Sequence, residues 1–129
     1  MAARRADTAF AQARLQARHG AMPDEHAWHA LEASRTAAHY LALARSGPLA
    51  RWVEGMGDDA DLHRIERELR GRWRRYVDEV ARWQAPAWRE ATRWFGVLVD
   101  LQLVAGLLRG DGRARAAWPE LPANADVGA

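Results

Sequence analysis

The stretch Trp94–Arg109, WFGVLVDLQLVAGLLR, restricts the folds open to this chain more than any other. From Trp94 to Leu108 its only polar side chains are Asp100 and Gln102. A helix that is apolar nearly all the way round has no side for water, so neighbouring elements are expected to cover it. At about 1.5 Å per residue the run spans roughly 22 Å, short of the ~20 residues that a bilayer helix uses. Asp100 at its middle also counts against lipid. The expectation is a buried central helix of a small bundle. Pro86 stands where a first-turn proline belongs and Gly110 just past the end, which predicts one helix over Pro86–Arg109.

The segments before it have the same helical character. Residues 3–19 form an Ala/Arg-rich helix pattern ended by Gly20, with Phe10 and Leu15 on its apolar side. Met22-Pro23-Asp24-Glu25 is a start signal, since proline and acids suit a first turn. A helix follows to about Ala33, with Trp28 and Leu31 at i, i+3. Ser34 is placed to cap the next, RTAAHYLALAR, and Ser46-Gly47-Pro48 breaks the chain. Leu49–Glu54 reads as one more short turn of helix. Asp58, Asp59 and Asp61 then open the longest helix, which runs to about Gln84. Its apolar stripe is Leu62, Ile65, Leu69, Trp73, Tyr76, Val80 and Trp83, at steps of three and four that average about 3.5, the period of a packed seam. Pairs such as Glu66/Arg70, Arg74/Asp78 and Arg75/Glu79 lie at i, i+4 on its other faces and are worth only ~0.3–0.5 kcal/mol each.

The prediction is an all-α fold: a compact bundle of about five to six helices, with one long charged helix and one buried apolar C-terminal helix. Residues 1–110 form its single domain. Residues 111–129, rich in small residues, Gly and Pro, make a loosely ordered tail with a short turn around Arg113–Trp118. Scarce β-branched residues and abundant alanine agree with this.

Composition excludes several chemistries. There is no cysteine, hence no disulfide framework, thiolate metal site or catalytic thiol. All nineteen basic side chains are arginine, so lysine nucleophiles are excluded. A net charge of +2 implies no large one-sided field. Arg4 and Arg5 are followed by no apolar signal core, and the expected location is the cytoplasm.

Candidate sites are few. Ser34 and Ser46 suit a cap and a turn, and GDG at 110–112 lacks both the spacing and the lysine of a phosphate loop. Glu25, His29 and Glu32 share a helix face, with His26 adjacent. However, a ferritin-like site uses Glu-x-x-His on paired helices, and here the order is reversed. No metal, cofactor or catalytic residue is expected. Asp100, inside an apolar helix, either reaches an arginine or emerges through a gap between neighbours, where it would handle a proton or meet a partner. Trp52, Trp88 and Trp118 lie outside the two clear seams and are candidate partner-binding anchors or peripheral core contacts. The RGRWRRY run offers Arg70, Arg72, Arg74 and Arg75 as a nucleic-acid alternative, although Trp73 and Tyr76 fall on the apolar seam and acids interrupt the arginines.

The order of these segments resembles one helical unit of the C/d subunit family of V-type and archaeal-type rotary ATPases. The resemblance runs through AFAQARLQAR, MPDEHAWHALEA, SRTAAHYLALARSGPL, DLHRIERELRGRWRRYVDEVARW and WFGVLVDLQLVAGLLRG, over about residues 9–110. Those subunits contain three such units and this chain has one. The turn here is Ser46-Gly47-Pro48 where the family often has Thr-Pro-Tyr. The resemblance implies a non-catalytic helical adaptor or subunit that contributes to assembly or coupling of a membrane ATPase. Its partners would be ATPase subunits or a second copy of the chain.

Overall fold

The computed structural model describes residues 2–112, with side chains from Thr8 onward. Among the described residues there are seven α-helices and no strand: α1 (Ala2–His19), α2 (Glu25–Glu32), α3 (Ala37–Ser46), α4 (Ala50–Val53), α5 (Leu62–Trp83), α6 (Pro86–Arg93) and α7 (Leu101–Leu108). A 3-10 segment, Trp94–Asp100, joins α6 to α7. The fold is an all-α bundle, as the residue pattern implies.

Helix ends follow local chemistry. The Asp24 carboxylate accepts from the Ala27 N–H to start α2, and Asp61 accepts from Arg64 N–H to start α5. Thr36 rather than Ser34 caps α3, its hydroxyl accepting from His39 N–H at 3.2 Å. The Ser34 hydroxyl instead donates back to the Leu31 carbonyl, so α2 and α3 are separate helices. Pro86 opens α6. Gly110, at φ +73°, closes α7: its N–H donates to Leu107 and that of Asp111 to Gly106, both at 2.9 Å.

The main core lies between α2, α3, α4 and the first half of α5. Leu31, Leu41, Ala44, Val53, Met56, Ala60 and Ile65 form it, with Tyr40, Leu43, Leu49 and Leu69 against its edge. The second half of α5 is a spine with two occupied sides. On one side α1 contributes Arg14 and Arg18, whose guanidinium groups sit 4.5 and 4.7 Å from the Trp83 ring centroid. On the other, Arg74, Val77 and Asp78 at i, i+3, i+4 meet the α6–α7 arm. Arg74 bonds Asp100, Arg93 bonds Asp78 at 3.1 Å, and Gly96 lies close against Val77.

Two expectations require correction. Of the i, i+4 pairs read along α5, Glu66–Arg70 forms. Arg74, Asp78 and Glu79 instead reach across to Asp100, Arg93 and Arg18 on other helices. Interhelical partners held by packing win over intrahelical ones of small net worth. The larger correction concerns the buried C-terminal helix. Trp94, Phe95, Leu98, Leu101 and Leu108 are exposed, as is Leu62 at the head of the α5 stripe. The arm meets α5 through α6 and the 3-10 segment, and among the described residues no helix is placed over its outer side. Nor is the arm one continuous α-helix. The Phe95 carbonyl, which an α-helix would pair with the N–H of residue 99, accepts the Trp73 indole N–H at 2.9 Å. The backbone tightens there to 3-10 geometry.

Candidate functional site

Three surfaces hold chemistry beyond ordinary packing. The first is the outer side of the α6–α7 arm. Trp88, Trp94, Phe95, Leu98, Leu101 and Leu108 are each 52–66% exposed. The run Pro86–Leu108, 23 residues, is long and apolar enough to cross a membrane by length and composition. The fifteen-residue count from Trp94 falls short of this only because it omits α6. Within the run Asp100 is 5% exposed, and its carboxylate accepts from Arg74 at 2.7 Å. A bilayer-crossing arm would have to carry or break that pair.

The second is a broad apolar groove of about 1110 Å³ between α1, the α2–α4 region, α5 and the α6–α7 arm. Trp28, Tyr40, Trp52, Trp73 and Tyr76 supply aromatic walls, and Val99 and Gln102 close its far side. It exists because α1 rests on the second half of α5 while α2–α4 occupy the first half.

The third is a basic cleft of about 600 Å³ along α5, lined by Arg18, Arg51, Arg72, Arg75 and Arg82 against Glu54 and Glu79. Trp52 and Tyr76, with ring centroids 5.6 Å apart, form part of its wall. Arg18 donates to Glu79 at 2.9 Å and stands 4.8 Å from the Tyr76 ring centroid. Burial works against the Arg18 charge, but bonding and charge from Glu79 and Tyr76 outweigh it and raise its pKa above the usual arginine value.

The sequence-derived candidates separate among these surfaces. Trp88 is exposed on α6, whereas Trp52 is half-buried against Tyr76 with the Arg51 guanidinium 5.4 Å from its ring centroid. Trp118 lies outside the described residues. Asp100 takes the arginine-paired alternative rather than an opening to solvent. Of the four arginines in the nucleic-acid reading, Arg70 pairs with Glu66 and Arg74 with Asp100. Arg72 donates to the Arg51 and Glu54 carbonyls. Arg75 alone of the four makes no hydrogen bond or ion pair among the described residues. No single basic row results.

His29 stands 3.6 Å from Glu25 and 3.5 Å from Glu32, all three well exposed. Among the described residues no group of three or more His, Asp and Glu is arranged to hold a metal. Sequence reasoning does not single out Arg18, Arg51 or Arg82. The available signal was that α1 carries Arg14 and Arg18 one turn apart beside an alanine face, an arrangement suited to lying over the aromatics of another helix. Comparison with protein-family models, curated proteins and solved structures returns no match, so the candidate sites rest on the geometry of this chain.

Proposed function

We propose that the protein is a non-catalytic helical adaptor that holds a partner protein against the open side of its α6–α7 arm. One observation carries this reading: six large apolar side chains stand exposed along a single arm of a folded domain. Scattered exposed hydrophobics are ordinary, but a row of this size marks a surface that another molecule covers. Two of the six are tryptophans, the residue type that most often anchors an interface. The helix order, resembling one unit of the rotary ATPase C/d subunit, makes subunits of a membrane ATPase the proposed partners. The location proposed with it is the cytoplasmic side, peripheral to the inner membrane.

The test is a pull-down of tagged protein from gently solubilised host membranes, read by mass spectrometry beside a variant carrying Trp94→Ser and Leu98→Ser. ATPase subunits enriched with the unaltered chain and lost with the variant are the expected result. Other proteins lost in the same way would keep the adaptor and discard the ATPase. Capture that the variant leaves intact, or recovery of nucleic acid instead, would remove the reading.

A further inference from the structure

The basic cleft is independent of the apolar arm. The whole chain carries a net charge of only +2, yet five arginines and two glutamates line this one cleft. Arg18 and Arg51 both lie within 6 Å of the Tyr76 ring centroid, at 4.8 and 5.7 Å. Among the described residues Glu79 is engaged by Arg18, while Arg51, Arg75, Arg82 and the Glu54 carboxylate form no ion pair. Five guanidinium groups against two carboxylates leave an excess of positive charge, and a bound anion relieves the repulsion.

A second observation points the same way. Two buried guanidinium nitrogens, Arg18 Nη1 and Arg72 Nε, have no hydrogen-bond partner, and both side chains line this cleft. Buried N–H groups are nearly always satisfied, and these two show that donors outnumber acceptors along this wall. The floor is already fixed, because Arg72 is held by the carbonyls of Arg51 and Glu54. Among the described residues Arg72 is thus ordered in advance, while Arg51, Arg75 and Arg82 keep their donors uncommitted.

We infer that this cleft binds a phosphoryl group. A carboxylate is satisfied by a single forked guanidinium. Several separate guanidinium groups instead suit an oxyanion with close to two charges and three free oxygens. At about 600 Å³ the space holds more than one phosphate, which fits a diphosphate or a phosphorylated small molecule or headgroup.

The full chain is titrated calorimetrically with inorganic pyrophosphate at low salt. In parallel it is sedimented with phosphatidylcholine vesicles with or without phosphatidic acid. One saturable pyrophosphate site is expected, weakened about tenfold by Arg51→Ala, Arg75→Ala or Arg82→Ala, the loss of one charge-assisted hydrogen bond. Arg64→Ala, at the exposed start of α5, leaves it unchanged. All four side chains are exposed, and circular dichroism checks that each variant folds. Binding of pyrophosphate assigns a free ligand. Binding only to phosphatidic acid vesicles, with the same arginine dependence, assigns a lipid headgroup. No binding in either arm, or equal weakening by Arg64→Ala, overturns the inference.

Discussion

Arg74, in the second half of α5, donates to the buried carboxylate of Asp100 at 2.7 Å and so ties the α6–α7 arm to the spine of the bundle. The two residues are unequal. Asp100 is almost completely enclosed while Arg74 keeps its head partly in water. Removing the arginine therefore strands a carboxylate away from solvent. Arg74→Met is expected to cost about 2–3 kcal/mol, near the low end for a broken buried pair because one partner is half solvated. Urea unfolding should show this loss, with Arg75→Met nearly silent.

The exposed arm makes the opposite prediction for large apolar residues. Trp94→Ser and Leu98→Ser should each change stability by less than about 0.5 kcal/mol, because neither side chain is enclosed on folding. Leu41→Ala, at a fully buried position, should cost about 2–5 kcal/mol. Thermal melts of the three variants give the comparison directly.

Two glycines in helical context should respond with opposite signs. Gly110 adopts φ +73° at the end of α7, so Gly110→Ala is expected to cost about 1 kcal/mol and to speed amide exchange there. Gly71 lies inside α5, and an added Cβ there meets only Arg75 Nη1 at 4.0 Å. Gly71→Ala should stabilise by roughly 0.5–1 kcal/mol.

Loss of a cap is a further test of α5. Asp61→Ala removes the acceptor for the Arg64 N–H and should cost about 1 kcal/mol, with Asp61→Asn retaining most of it.

For Arg18 the folded pKa is raised, so its stabilising contribution is complete below the unfolded value and is lost only as pH rises through the folded one. Both lie far above neutrality. The stability difference between the native chain and Arg18→Met should therefore be the same at about pH 6 and about pH 9.

Much of the fold was legible because helix ends are local. Asp24, Asp61, Pro86 and Gly110 each act within a turn of where they stand, and a reader of the chain sees the same atoms as the backbone. The arm was misread because apolar periodicity states that a surface needs cover without stating what provides it. WFGVLVDLQLVAGLLR has the composition of a buried helix, yet among the described residues α5 covers one flank while Trp94, Phe95, Leu98, Leu101 and Leu108 face outward. Charges failed for a related reason. Arg74 and Asp78 are ideal neighbours along α5, but packing brought Asp100 and Arg93 to them. The basic cleft was invisible because Arg18, Arg51 and Arg75 come from three different helices, and no spacing along the chain records their meeting.

The 3-10 geometry of Trp94–Asp100 sets the phase of the whole arm. Each residue there turns through about 120° instead of about 100°, so seven residues gain roughly 140° of rotation over an α-helical path. Each also rises about 2.0 Å instead of 1.5 Å, an extension of roughly 3.5 Å in total. Rewinding this segment as α-helix would withdraw Asp100 from Arg74 and at the same time swing Leu101 and Leu108 around the axis. The arm is in effect a screw joint: its outer hydrophobic row and its inner ion pair cannot be turned independently.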